Sequence, residues 1–214
     1  IMDVVERYPD VFAGVIQVDP FGAGAVRQME ELADTGRFRA LKLEMSDDWG
    51  WLAVHPCTMF HYETIYPLIR AAASKGLHVI IDTGATRGTA YLPEEFKNMV
   101  REFGGTYFIF EHMGYLTPGG DREKHRQLLK LGTLDNVRFG ISAMGQLLAE
   151  EYPCPTAISN LREAYEIMGP DKLLWGSDCP TTLNRYTYQQ MKDMVEFHAL
   201  FLTEEDKKKI SDTE

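Results

Sequence analysis

The chain has 214 residues, a length that suits a single globular domain with one sizeable hydrophobic core. Its hydrophobic content of 44% is ordinary for a globular protein, and its formal net charge of -10 excludes the basic surface of a nucleic-acid-binding protein. Three cysteines without a CxxC pair indicate no disulfide framework, and no apolar run approaches the roughly 20 residues of a membrane helix. We therefore expect a cytoplasmic protein that acts on a small molecule, without a nucleic acid or membrane partner.

Six short apolar segments along the chain have the character of buried parallel strands. Their starts are 29 to 38 residues apart, close to the roughly 30 residues of a β-α-β unit. Apolar residues at helical spacing fill the intervals between them. The predicted strands span residues 11–18, 40–44, 78–82, 107–111, 137–142 and 173–176. The predicted helices span residues 26–33, 65–72, 93–103 and 161–168.

Both ends of the chain are predicted to be helical. Residues 1, 4, 5 and 8 are apolar or aromatic at helical spacing, and residues 203–206 (TEED) resemble a capping box that begins a last helix. We therefore expect one barrel domain over residues 1–214 that is truncated at both ends.

The alternation of strands and helices predicts an α/β fold with a parallel sheet and right-handed crossovers. Two architectures fit: an open doubly wound sheet, or a (β/α)8 barrel of the TIM type with about six of the eight strands present in this chain. A doubly wound dinucleotide-binding fold would need a glycine fingerprint after its first strand. Residues 21–27 (FGAGAVR) contain only the first two of its glycines, so dinucleotide binding is disfavoured.

Three of the predicted strands end in side chains that can bind a metal or move a proton. Asp82 ends the third strand, His112 follows the fourth, and Asp178 follows the sixth. In a barrel the carboxyl ends of the strands converge, so several rigid strands can each supply one ligand. Two carboxylates and an imidazole suit a divalent ion such as Zn²⁺ or Mn²⁺, with open positions for water and substrate.

Each of these residues also has a structural interpretation. Asp178 stands two residues before Pro180 and could cap a following helix. Asp82 precedes a Thr-Gly pair and could accept hydrogen bonds from the backbone amides of the next turn. His112 could be a hydrogen-bonded histidine at the rim of the sheet. The occurrence of all three at strand ends favours the functional interpretation.

Five parts of the sequence carry a family resemblance. They are YPDVFAG (residues 8–14) with VDP (18–20), FRALKL (38–43), LHVIIDTG (77–84), FEHMG (110–114) and LLWGSDCP (173–180). These segments cover most of the chain and resemble the metal-dependent amidohydrolase superfamily, in the branch that contains aminocarboxymuconate-semialdehyde decarboxylase and related lactone hydrolases. The last segment is the most specific and the first pair the least. The resemblance implies a (β/α)8 barrel in which the predicted strands correspond to the third through eighth.

The resemblance implies a role for each candidate. Asp178 matches the last-strand aspartate, which binds the metal and helps to activate water, and His112 matches the sixth-strand histidine that transfers protons beside the metal. Asp82 matches a fifth-strand position that is normally a histidine ligand, and a carboxylate there favours harder metal ions. The paired His-x-His ligands of the family's first strand have no counterpart in the sequence. The implied cofactor is a divalent metal ion, with zinc favoured over manganese.

Two arginines are candidates for binding a substrate carboxylate. Arg87 and Arg185 lie in loops shortly after Asp82 and Asp178, although a solvated loop arginine is the simpler interpretation of each. Together with the resemblance, they predict a hydrolase that directs metal-activated water at a C–O or C–N bond of a small carboxylated cyclic or aromatic substrate.

Two alternatives are open at this point. One is a nonoxidative decarboxylase of the same branch. The other is a barrel that has lost its metal and binds a ligand or a partner chain, which Asp82 in place of histidine and the absent first strand both favour. Missing strands would leave sheet edges exposed, so a homo-oligomer is also expected as a means of covering them.

Overall fold

The computed structural model describes residues 2–57 and 59–211. The fold is α/β, and the sheet order β1-β2-β3-β4-β5-β6 is the order of the strands along the chain. The strands are β1 (Gly14–Ile16), β2 (Phe38–Glu44), β3 (His78–Asp82), β4 (Phe108–Phe110), β5 (Val137–Gly140) and β6 (Leu173–Leu174). The α-helices are α1 (Met2–Arg7), α2 (Ala25–Ala33), α3 (Trp51–Val54), α4 (Tyr66–Ser74), α5 (Pro93–Glu102), α6 (His112–Tyr115), α7 (Arg122–Leu129), α8 (Met144–Leu147), α9 (Pro155–Met168), α10 (Tyr188–Asp193) and α11 (Glu204–Ser211).

Short helical turns of other types link these elements. The 3₁₀ helices are Tyr62–Ile65, Lys130–Thr133, Pro170–Lys172 and Thr181–Asn184, and Met194–His198 forms a π-helix. The chain divides into two compact units. The first comprises residues up to 84 together with 88–109, and the second comprises residues 85–87 together with the chain from residue 110 onwards.

The first unit is built on β1, β2 and β3, which pair in parallel. The register of β2 and β3 begins at Ala40 and His78 and ends at Glu44 and Asp82, so these two acidic residues are partners at the carboxyl ends of their strands. Helices α2 and α4 pack against each other and against β2 and β3 respectively. The fully buried residues of β2 and β3 are Leu41, Leu43, Val79 and Ile81.

The second unit contains the parallel pair of β5 and β6, with Phe139 opposite Leu173. The ring of Phe110 stacks on Phe139 with centroids 5.4 Å apart, and both side chains are fully buried. Helix α9 packs against α7 and α8. Beyond β6, the amide of Trp175 donates to the carbonyl oxygen of Ile210 at 2.8 Å, which ties the end of the strand to α11.

The six predicted strands are all present, and the predicted α/β fold is confirmed. The first strand is much shorter than predicted, since only Gly14–Ile16 is extended, and the last three strands each end one or two residues before the predicted bound. The first strand starts late because the amides of Val11 and Phe12 donate to the carbonyl oxygen of Tyr8, at 3.1 and 3.0 Å, and so continue the turn that ends α1.

Helix α9 begins at Pro155, six residues before the predicted start at residue 161. Proline suits the first helical turn because its missing N–H would have no intrahelical partner there. The carboxylate of Glu150 accepts hydrogen bonds from the amides of Thr156 at 3.0 Å and Ala157 at 2.9 Å, and so caps the helix from outside it. Sequence periodicity did not reveal this cap because Glu150 lies five residues before the helix.

The predicted terminal helices are present in the described part of the chain. Helix α1 spans Met2–Arg7, and residue 1 lies outside the described residues. Helix α11 spans Glu204–Ser211, and the amide of Asp206 donates to the Thr203 hydroxyl at 3.1 Å, as the capping box predicts. Residues 212–214 lie outside the described residues. Among the helices that the structure describes, none combines the length and apolar character needed to cross a membrane.

Candidate active site

Asp82 is a buried carboxylate at the carboxyl end of β3. Only 3% of the residue is exposed. Its Oδ1 accepts a hydrogen bond from the amide of Gly84 at 2.9 Å, and Gly84 has the positive φ of 65° that this turn requires. The structural interpretation of Asp82 is therefore confirmed for this oxygen, which shapes the turn after the strand.

The surroundings of Asp82 in the first unit are acidic. Burial raises the pKa of the Tyr62 hydroxyl well above its usual range, and the negative charges of Asp82, Glu95 and Asp47 act in the same direction. The Tyr62 hydroxyl donates to the carbonyl oxygen of Ala90 at 3.1 Å and is neutral at ordinary pH. A concentration of negative charge near a buried carboxylate favours a cation.

His112 opens α6 (His112–Tyr115), a four-residue turn just after β4 whose backbone is left-handed rather than α-helical. The φ angles of His112, Met113, Gly114 and Tyr115 are 54°, 49°, 75° and 58°, so four successive residues are left-handed. This conformation costs roughly 1–2 kcal/mol for each residue with a Cβ atom. Such strain persists only where the surroundings stabilise it, and it is concentrated at functional sites. The turn therefore marks His112 as a functional candidate on grounds that are independent of any motif.

The His112 ring is held in place by two neighbours in the second unit. Its Nδ1 lies 2.9 Å from the hydroxyl oxygen of Ser142, just beyond β5, and its ring packs edge-on against Tyr115 with centroids 5.7 Å apart. His112 is only 9% exposed. It is thus a hydrogen-bonded histidine at the rim of the sheet.

A narrow cavity beside His112 has mostly apolar walls. A second cavity, of about 360 Å³, adjoins it, and Leu116 and Leu148 line both. The larger cavity is formed by the loop after α6, by Arg122 at the start of α7, and by Glu150 and Thr156. The other lining residues of the narrow cavity are Met113, His125, Met144, Leu147, Ala157 and Asn160.

Asp178 lies beyond β6, where it is half-buried and has a left-handed φ of 53°. Its carbonyl oxygen accepts a hydrogen bond from the amide of Thr182 at 3.3 Å. The helix that follows is the 3₁₀ helix Thr181–Asn184, and no side chain caps its first turn. The interpretation of Asp178 as a helix cap is therefore wrong, and its strained backbone agrees better with a functional position.

The candidate site residues of the second unit do not line one common cavity among those described there. Neither Asp178, Arg87 nor Arg185 is among the residues that line the cavity of His112. The guanidinium group of Arg87 donates to the carbonyl oxygen of Gly119, and that of Arg185 contacts the Tyr186 hydroxyl. Both arginines are exposed. These contacts agree with solvated loop residues, and carboxylate binding by either one stays a prediction.

Three residues of the second unit contribute to the site without having been predicted. Ser142 contacts His112, as described above. His125 on α7 is 3% exposed, and its Nε2 lies 2.7 Å from the carbonyl oxygen of Met113. Arg122 lines the larger cavity and donates from Nη1 to Oδ1 of Asn160 at 3.4 Å. A signal existed for His125, because it shares the buried face of α7 with Leu128.

The chain is similar to known proteins of one family. The family model for amidohydrolases matches residues 1–212. An amidohydrolase from Burkholderia multivorans with bound zinc is 14% identical, with a TM-score of 0.73; the match covers 98% of this chain and 73% of that one. The 5-carboxyvanillate decarboxylase from Sphingomonas paucimobilis is 16% identical, with a TM-score of 0.61; the match covers 97% of this chain and 66% of that one.

A third solved structure is named as a probable 2-pyrone-4,6-dicarboxylic acid hydrolase, from Acinetobacter baumannii, and has citric acid bound. It is 16% identical, with a TM-score of 0.65, and the match covers 98% of this chain and 76% of that one. No curated protein sequence matches the chain. At these identities the structural likeness establishes the fold, which is that of the amidohydrolase barrels with six strands present here. The match of the family model over residues 1–212 shows that the chain belongs to the amidohydrolase family, which is a family of enzymes.

Proposed function

We propose that the protein is a metal-dependent hydrolase of a small carboxylated substrate with a cyclic or aromatic framework. The observation that carries the proposal is the buried, strained His112 at a strand end of a chain that the amidohydrolase family model matches over residues 1–212. In the reaction, water attacks the carbon of a C–O or C–N bond; that bond breaks, and the leaving oxygen or nitrogen takes up a proton. The protein would act in the cytoplasm, on a small molecule, and as a homo-oligomer.

The residues at the strand ends have the chemistry to hold a divalent metal. Asp82 and Asp178 are the carboxylates predicted from the sequence, and Glu111 is a further half-buried carboxylate next to His112. Oxygen donors with one imidazole suit Zn²⁺ and Mn²⁺, and zinc is our choice because one relative is described with bound zinc. When bound, the ion polarises the substrate and makes water a stronger nucleophile near neutral pH.

His112 is the residue to which we assign proton transfer with the substrate. Ser142 holds Nδ1 and thereby fixes the orientation of the ring. The remaining ring nitrogen, Nε2, would donate or accept the proton at the reacting group. Asp178 would accept the proton of the attacking water. The left-handed backbone of Asp178, uncommon for a residue with a Cβ atom, supports a functional position for it.

The larger cavity is our candidate for the substrate site. Its volume of about 360 Å³ lies in the range of small-ligand pockets, roughly 300–1,000 Å³. Arg122 supplies a guanidinium group at its wall, in a protein whose formal net charge is -10. A guanidinium group binds a carboxylate through two parallel hydrogen bonds. Arg122 therefore joins Arg87 and Arg185 as a candidate, and it is the one of the three that lines a cavity adjoining His112.

Nonoxidative decarboxylation is the second candidate function. It is favoured by the likeness to the 5-carboxyvanillate decarboxylase, which has the same fold. The same His112 would then protonate the ring carbon that loses carbon dioxide, and no water would be consumed.

The test is turnover of a panel of lactones and aromatic acids by protein loaded with zinc or with manganese. Ring opening or release of carbon dioxide separates the two candidate reactions. In the His112→Asn variant we expect turnover to fall by about 10²-fold or more, the usual contribution of a general acid or base. The control is His198→Asn, which removes a half-buried histidine that pairs with Tyr152 in the same unit. Wild-type turnover in His112→Asn would refute the assigned role.

A further inference from the structure

His125 has a role that the family match does not assign. It is one of the few buried polar residues of the second unit, and it belongs to α7 rather than to a strand end. Its one hydrogen bond described in the structure goes from Nε2 to the carbonyl oxygen of Met113, at 2.7 Å. Met113 follows His112 directly, in the middle of the left-handed turn.

The left-handed turn is held both from within and from outside. Within it, the amide of Gly114 donates to the carbonyl oxygen of Glu111 at 2.9 Å. The carbonyl oxygen of Met113 is turned instead toward α7, where His125 meets it. A buried carbonyl group without a partner would be unfavourable. The His125 imidazole therefore supplies the hydrogen-bond partner of the Met113 carbonyl oxygen, in the middle of the turn.

The protonation state of His125 suits it to this task. Burial lowers the pKa of the His125 imidazole and outweighs the hydrogen bond to Met113 and the charge of Glu163, which raise it; the guanidinium groups of Arg122 and Arg126 lower it further. The ring is therefore neutral at ordinary pH and carries one proton. A carbonyl oxygen accepts hydrogen bonds only, so the proton resides on Nε2.

We propose that His125 is a positioning residue: by donating from Nε2 to the Met113 carbonyl oxygen, it fixes the left-handed turn and so sets the orientation of the His112 ring against Ser142. The proposal rests on the proposed function, since it gives a reason why the His112 ring must be oriented. The hydrogen bond between His125 and Met113 does not depend on any substrate.

Side-chain nitrogen NMR of protein labelled with ¹⁵N-histidine tests the proposal. In the wild type we expect His125 to show a neutral ring with its proton on Nε2, protected from exchange with solvent. In His125→Leu the ring nitrogen signals of His112 should move by more than a linewidth. In His125→Gln, whose amide can still donate, they should return most of the way to their wild-type positions.

Leu128→Ala is the matched control, since Leu128 is fully buried on the same helix and makes no hydrogen bond with its side chain. It should lower the melting temperature and leave the His112 signals in place. Unchanged His112 signals in His125→Leu would overturn the proposal, and so would an equal displacement in Leu128→Ala. If His125→Leu does not fold, a wild-type His125 with its proton on Nδ1, or on both nitrogens, overturns it as well. These spectra require no substrate, so an absence of turnover would count against the proposed function alone.

Discussion

His112 Nδ1 and Ser142 Oγ lie 2.9 Å apart, and this contact joins the residues that follow β4 and β5. The hydroxyl group fixes which ring nitrogen of His112 is engaged and in which direction the other one points. It does so beside a turn whose backbone is left-handed at four successive residues. The orientation of this histidine is therefore determined by side chains from several elements, not by the strand alone.

Removal of the Ser142 hydroxyl should impair turnover more than stability. For Ser142→Ala we expect a loss of roughly tenfold or more in kcat, the effect typical of losing a residue that orients a site histidine. Ser142→Thr keeps the hydroxyl and should retain most of the activity. Steady-state kinetics on an accepted substrate gives both values. A kcat in Ser142→Ala equal to that of the wild type would show that the contact does not orient the ring for chemistry.

The pH dependence of stability should report the burial of His125. Because its folded pKa is lowered, the unfolded chain binds a proton at a pH where the folded chain does not. The stabilisation of the folded state that comes from neutral His125 is therefore fully present above the unfolded pKa of about 6.5, and it is lost as the pH falls below that value. Urea unfolding at pH 7.5 and at pH 5.5 should give a smaller loss of stability for His125→Gln than for the wild type. Identical losses in the two proteins would contradict this account.

Gly145 should not tolerate a side chain. A Cβ atom there would meet Cys154 Sγ in close contact and would lie 2.8 Å from the Tyr186 hydroxyl oxygen. Overpacking of this kind costs about 1–3 kcal/mol, so Gly145→Ala should lower the free energy of unfolding by that amount. Gly105→Ala is the control, since a Cβ atom at Gly105 meets nothing within 4 Å.

The clash at Gly145 also predicts a rescue. Cys154 is fully buried and its thiol sulfur is the nearest atom to the added methyl group. The loss of unfolding free energy in the double variant, Gly145→Ala with Cys154→Ala, should therefore be smaller than the sum of the losses in the two single variants. Chemical denaturation of the four proteins gives the coupling free energy. Simple additivity would mean that the strain lies elsewhere, for instance against Tyr186.

Arg122 should contribute to binding of a carboxylate, and its neighbour Arg126 on the same helix should not. Arg126 is already paired with Glu163, at 2.6 Å between its Nη2 and a carboxylate oxygen. With 2,6-dihydroxybenzoate as the probe, Arg122→Gln should weaken binding about tenfold or more, since a hydrogen bond to a charged group contributes about 1.5–3 kcal/mol. Arg126→Gln should bind like the wild type. If calorimetric titration gives equal affinities for the two variants, Arg122 does not bind the carboxylate.

Sequence periodicity was sufficient to predict the strands and the residues at their ends. Buried runs such as His78–Asp82 read directly as strands, and a polar residue just beyond such a run lies at the carboxyl edge of the sheet. The backbone of the site could not be predicted in this way. Met113 and Tyr115 have no intrinsic preference for a left-handed conformation, which arises here from contacts with residues distant in the sequence.

Helix caps and supporting side chains were missed for the same reason. Glu150 caps α9 from outside the helix, and His125 supports the turn after β4 from a different element. Such contacts depend on tertiary packing, which periodicity along one segment does not report. Proximity in sequence to Asp82 and Asp178 suggested Arg87 and Arg185 as carboxylate-binding residues, and it gave no indication of Arg122, which lines the cavity that adjoins the one beside His112.

Metal content tests the central claim most directly. Purified wild-type protein and the variants Asp82→Asn and Asp178→Ala would be analysed for zinc, manganese, iron, nickel and cobalt, with Asp171→Asn as the control for loss of an exposed carboxylate. We predict near-stoichiometric metal, chiefly zinc, in the wild type and the control, and little in the other two variants, with folding verified by circular dichroism. A wild-type protein without metal, or variants that keep all of it, would contradict the account of a metal-dependent hydrolase.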